Sequence, residues 1–182
     1  MNWFRYFTPA TLLIVSLLAG CATPTPPTEM VPQSILEQAS LRGVAIQVTQ
    51  VTGGMETRSW DVGRIGNAEF RQALEQTLRN SGVDTAANGK SYQLSCEIVS
   101  QNVAGTFDNT MTLLVHYTLK DDQGKRIWAD NILTEKELAV KDVFNGQTRM
   151  RKLQTSAIQD NFITLLDRLA QVLHVKKQGI NH

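Results

Sequence analysis

Two spacings of apolar residues divide this chain into its elements. Val44, Ile46 and Val48 alternate with Ala45, Gln47 and Thr49, the two-residue period of a half-buried strand, which Gly53-Gly54 ends. A Gly-bounded loop carrying Trp60 and Arg64 follows. Phe70, Ala73, Leu74, Thr77 and Leu78 then fall on one face of a helix, with Asn67 as the expected N-cap, Glu69 in the first turn and Gly82 just past the end. Three alternating runs come next. Tyr92, Leu94, Cys96 and Ile98 mark a strand near Ser91 to Gln101; Met111, Leu113, Val115, Tyr117 and Leu119 mark another over Thr110 to Lys120. The third returns from Arg126 to about Leu138 through Ile127, Trp128, Ile132 and Leu133, after hairpin-turn chemistry in Asp121-Asp122-Gln123-Gly124. A long helix begins between Asp142 and Gln147, with a stripe of Ile158, Phe162, Leu165, Leu169 and Val172 extended backwards by Met150, Leu153 and Ala157.

The order is strand, helix, three strands, helix. Strands with one apolar face need a cover, and two amphipathic helices supply it. The expected fold is therefore α+β: a two-layer β-α-β-β-β-α sandwich, with two helices packed on a mostly antiparallel four-stranded sheet. The helical stripe, which could also serve a coiled-coil partner, is assigned to packing on the chain's own sheet.

The N-terminus follows different rules. Met1 to Gly20 reads as a secretory signal, with Arg5 in the positive n-region and an apolar core from Thr11 to Leu18, far short of a membrane span. Leu18-Ala19-Gly20-Cys21 closes it. These four residues resemble the bacterial lipobox, which implies cleavage between Gly20 and Cys21 and acylation of the Cys21 thiol. One acyl chain binds a bilayer only marginally, whereas the several chains of such a cysteine anchor it firmly. Ala22 and Thr23 follow with no Asp at the retention position, which by resemblance to Gram-negative lipoproteins implies the outer membrane. All five prolines lie at or before Pro32, so residues 21–33 are expected to be a lipidated cysteine and an extended, mobile tether. About a dozen residues at ~3.1 Å each would span ~35–40 Å. A single periplasmic domain is expected over 34–182.

Charge narrows the partners. The chain carries 18 basic and 17 acidic residues, and removing the signal takes away only Arg5, leaving 17 of each. That balance excludes a general nucleic-acid binder, which draws its affinity from Lys and Arg facing phosphates. With Cys21 acylated, Cys96 has no disulfide partner, and its place on an apolar strand face predicts burial and an inert thiol.

Chemistry is sparse. The histidines at 116, 174 and 182 stand apart from any Cys, His or carboxylate spacing that would hold a metal, so no metal or cofactor is expected. His116, mid-strand on the face opposite Met111 and Val115, has no evident catalytic partners. Gly89-Lys90-Ser91 is not a phosphate loop, because Asp84 stands where the motif needs glycine and a strand, not a helix, follows. What remains are candidate partner contacts. Arg149, Arg151 and Lys152 cluster at the start of the last helix, where cations oppose the dipole, and Trp60 and Arg64 share a loop.

Together, the lipobox, the proline-rich stretch and this element order resemble small Gram-negative envelope lipoproteins. Phe70 to Leu78 (FRQALEQTL), Gly82-Val83 and three strands before a last helix resemble the lipopolysaccharide-assembly lipoprotein. Arg126 to Asp130 (RIWAD) is similar to the late strand of penicillin-binding-protein activator lipoproteins. The resemblance implies a non-enzymatic adaptor or accessory protein of the outer membrane, acting in envelope assembly or maintenance on a protein or polymer partner. Three alternatives stay open: a structural subunit of a secretion, flagellar or transport complex, an envelope hydrolase or transferase, and a lipid carrier.

Overall fold

Backbone alternation fixes the sheet, and the sheet decides where the helices go. The computed structural model describes residues 25–33, 41–55, 64–85, 91–105, 108–139, 141, 143 and 145–179. The elements run α1 (Pro27–Met30), β1 (Ile46–Thr52), α2 (Asn67–Asn80), β2 (Tyr92–Ala104), β3 (Asn109–Lys120), β4 (Arg126–Leu138) and α3 (Gly146–Gly179). The strands form one sheet in the order β1-β2-β3-β4. β1 pairs with β2 in parallel, across the α2 connection, and β2, β3 and β4 form an antiparallel meander. The α+β architecture and its element order are those the sequence predicts.

Local chemistry accounts for the joints. Gly82, at φ +82°, ends α2 in a Schellman arrangement: Val83 N–H donates to Leu78 O and Gly82 N–H to Arg79 O. Val83, the next residue, is buried there. The β3–β4 hairpin turns on Gly124 at φ +79°, with the Asp121 carboxylate accepting from the N–H groups of Gln123 and Lys125. Asn145 caps α3 by accepting from Thr148 N–H. Asn67, in contrast, is not the cap of α2. Gly66 holds that place, and the Asn67 side chain instead accepts from Gly54 N–H, 2.8 Å away, tying the end of β1 to the helix start.

Helices α2 and α3 pack on one face of the sheet, and α1 packs against both of them. Met111, Leu113, Val115, Tyr117 and Leu119 of β3 meet Phe70 and Leu74 of α2 and Ile158, Phe162 and Leu165 of α3 in one core. Phe70 and Phe162 meet edge to face, with centroids 5.0 Å apart. The α3 stripe departs from expectation at its ends. Met150 and Val172 are only half-buried, and Leu166 and Leu173 take inward places, because α3 presents a wide strip to the sheet.

The N-terminal segment requires a correction. From Thr25 it is neither free nor extended: Pro27–Met30 forms a helical turn, and Met30 is buried in the core against the helices. Proline at the first helical position costs nothing, because that N–H has no helical acceptor to lose. Among the described residues, the stretch from Thr25 to Gln33 thus contributes to the folded body. Cys21, Gly20 and the signal segment lie outside the described residues.

Candidate functional site

With the helices on one side, the other face of the sheet is left without a cover from the described residues. Gln47 and Gln50 of β1, Ser95 and Glu97 of β2, Thr112 to Thr118 of β3 and Asn131 to Glu135 of β4 supply its side chains, as the two-residue period requires. A shallow cleft of about 220 Å³ opens here, lined by Gln50, Thr52, Ser95, Glu97, His116 and Thr118, with Cys96 at its floor. His116 sits across the strand pair from Glu97 on one side and Asn131 on the other. Its Nδ1 lies 2.7 Å from Asn131 Oδ1 and its Nε2 3.3 Å from Thr118 Oγ1. A neutral imidazole with its proton on Nδ1 satisfies both: it donates to Asn131 and accepts from the Thr118 hydroxyl.

That trio has the connectivity of nucleophile, base and orienting group, but not the surroundings. Thr118 lies mid-strand on β3, whose backbone groups are committed to β2 on one side and β4 on the other. An oxyanion beside Thr118 would have to draw on donors from outside those ladders. What the cleft offers is a set of hydroxyl, amide, carboxylate and imidazole groups suited to hydrogen bonding.

Beside the cleft the same face turns apolar. Leu133 of β4, 62% exposed, stands opposite Leu114 of β3, and Val99 is 52% exposed. Alternation already turns Val99 outwards, and the bulge between Ile98 and Ser100 keeps Ser100 on the same open face, opposite Leu114. An apolar spot ringed by polar groups is the anatomy of a protein-docking patch. Alternation in β2, β3 and β4 gives Val99, Leu114 and Leu133 no inward place, and that mismatch is the signal in the sequence for this patch.

The predicted contact residues divide. Arg149 turns inward, its Nε 2.8 Å from Asn109 Oδ1 and its Nη1 3.0 Å from Val143 O, so it staples the β3 start to the α3 approach. Arg151 pairs with Glu29 of α1. Lys152 is exposed. Arg64 is half-buried, with Nη1 at the Met55 sulfur, and its backbone carbonyl accepts from Gln154 Nε2 at 2.8 Å. Two of the three α3 cations thus serve the fold. Trp60, the side chain of His174, His182, and Gly89-Lys90 lie outside the described residues.

Sequence reasoning missed Asn161, which is fully buried. It accepts from Tyr117 OH at 2.7 Å and donates through Nδ2 to Ile132 O and Thr134 Oγ1, a closed polar knot binding α3 to β3 and β4. Cys96 is buried as expected. Burial pushes its thiol well above its ordinary value, the Arg71 charge opposing, and burial likewise raises the Tyr117 phenol. Neither group is reactive at neutral pH. Phe70, Tyr117 and Phe162 fill the space between sheet and helices, where a lipid carrier would hold an acyl chain.

This architecture has known relatives. A family model for LptE, lipopolysaccharide-assembly, matches residues 57–173, more than half of the chain. The chain belongs to the LptE family. Of the two resemblances in the sequence, the lipopolysaccharide-assembly one is thereby upheld, and the protein is an LptE-like envelope lipoprotein. No curated protein matches the chain. A protein from Xanthomonas campestris superposes with a TM-score of 0.59 at 11% identity, covering 86% of this chain and 99% of that one. One from Caulobacter crescentus does so at 0.51 and 15%, covering 78% and 96%. Both likenesses show the fold alone. The rare lipoprotein B of Shewanella oneidensis aligns at 12% identity over 75% of this chain and 99% of its own, at a TM-score of 0.44, too low to carry an argument.

Proposed function

We propose that this LptE-like protein is a non-enzymatic adaptor in lipopolysaccharide assembly. It is anchored to the outer membrane by acyl chains on Cys21, faces the periplasm, and docks an envelope protein on the open face of its sheet. The family match over residues 57–173 carries the reading. The open face supports it: a polar cleft around His116 beside an exposed Leu114–Leu133 spot suits binding, and the commitment of the β3 backbone to its ladders disfavours catalysis. The lipobox residues Leu18 to Cys21 support the anchor.

The test is depletion of the protein in its own cells, with newly made lipopolysaccharide followed to the cell surface. Surface delivery should fall on depletion and return with the wild-type chain. Unchanged delivery in fully depleted cells would overturn the reading.

A further inference from the structure

The short distance between the lipid-attachment residue and the first docked residue has a steric consequence for the whole domain. Thr25 is buried, and its Oγ1 donates to Gln154 Oε1 of α3 at 2.9 Å. Beyond it the segment is held at several points. Glu29 pairs with Arg151, and Gln159 Nε2 donates to the carbonyls of Glu29 at 2.8 Å and of Val31 at 3.4 Å. Met30 is in the core. Only Ala22, Thr23 and Pro24 separate Cys21 from this clamp. Four residue steps at full extension reach ~13–14 Å, well under half of the ~35–40 Å that a free proline-rich stretch to Gln33 would allow.

We infer that the end of the domain around Thr25 rests against the phospholipid headgroups of the leaflet that holds the anchor, so that the domain is oriented on the membrane and does not swing free of it. The inference rests on Cys21 being acylated, as proposed above. The chemistry of this end fits a lipid surface. Gln154, which binds Thr25, also binds the Arg64 carbonyl, so Arg64 stands beside Thr25. Met55, 46% exposed, is tied to the same loop through its N–H to Ile65 O at 2.9 Å, and it meets the Arg64 guanidinium. Lys152 is exposed on α3 two residues before Gln154. A lysine suits phosphates, and a methionine suits the boundary between headgroups and acyl chains. Arg149 and Arg151 are held by Asn109 and Glu29 and are not counted among the contacts. The β3–β4 turn, Asp121–Gly124, lies at the far end of β3 from Asn109 and Arg149 and points away from the leaflet.

The experiment uses the full acylated protein in vesicles of phosphatidylethanolamine and phosphatidylglycerol that carry nitroxide-headgroup lipid. A fluorophore is placed on Ser156→Cys, exposed on α3 near Gln154, or on Gln123→Cys in the distal turn; Cys96 is buried and stays unlabelled. Quenching should be several-fold stronger at 156 than at 123, and a Gly/Ser stretch inserted after Thr23 should bring the two together. Equal quenching at the two sites, in protein whose mass shows acylated Cys21, would overturn the orientation and leave the anchor standing. An unmodified Cys21 thiol in native material would overturn both. Lys152→Glu should weaken the quenching at 156 on these vesicles but not on purely zwitterionic ones, and no change would overturn the assignment of that cation to the leaflet.

Discussion

The same four strands carry two faces that differ in almost every respect. The helix-covered face is apolar: Leu113, Val115, Tyr117 and Leu119 of β3 are fully buried beneath α2 and α3. On the open face the alternate residues of the same strand, Thr112, Leu114, His116 and Thr118, are half-buried at most. The first face holds the protein together, and the second is free to vary with function, because a change there removes few packed atoms. On the sheet, the sequence pattern misleads where the two faces exchange character. Asn161 carries polar groups into the covered side, and Leu133 carries an apolar one onto the open side.

Substitutions can break or sharpen this contrast. The largest effect is expected from Phe162→Ala, which removes a fully buried ring and its partner contact with Phe70. A loss of ~3–5 kcal/mol is expected from urea unfolding. A loss below about 1 kcal/mol would mean that the covered face is not the stabilising one. Asn161→Ala comes next. It strands the Tyr117 hydroxyl, Ile132 O and Thr134 Oγ1 in the interior, at roughly 1–3 kcal/mol for a group left unpaired.

The covered face should also show itself in alkali. The Cys96 and Tyr117 pKa values are raised by burial, so the native state keeps protons that the unfolded chain gives up. Their stabilising contribution is complete below the ordinary thiol value of 9.0 and is lost as pH rises above it. Stability should fall by about 1.4 kcal/mol per pH unit for each group titrating only in the unfolded chain. Cys96→Ala should flatten the thiol's share of that slope; an unchanged slope would show that Cys96 is not buried as a thiol. The smallest effect on stability is expected from Leu133→Asp, within about 0.5 kcal/mol, because the side chain is already exposed. The same variant should lose co-purification with its envelope partner. If stability drops and binding does not, the assignment of roles to the two faces is inverted.

Much of this was legible in the chain. Period-two runs gave the strands to within a few residues, and β4 was expected from Arg126 to about Leu138, as it stands. Residues with local signatures were also readable: Gly82 and Gly124 stop and turn the chain because their φ values are positive. The candidate site was less legible. A sheet face is defined by what does not cover it, and three strands contribute to the cleft from distant parts of the sequence. The cationic cluster on α3 looked like one surface, but Arg149 and Arg151 had partners 40 and 122 residues away.

The sequence alone determined the kinds of elements, their order, the buried strand face and the N-terminal attachment chemistry it resembles, since each rests on neighbours within a few residues. Tertiary structure decided which cations are spent on the fold, that Asn161 closes a buried knot, and that the proline-rich segment docks from Thr25 onward. Those outcomes depend on groups brought together across the chain. Composition can mark a stretch such as Thr25 to Gln33 as a poor builder of regular structure alone, but only the groove between α2 and α3 gives Met30 a place to be buried.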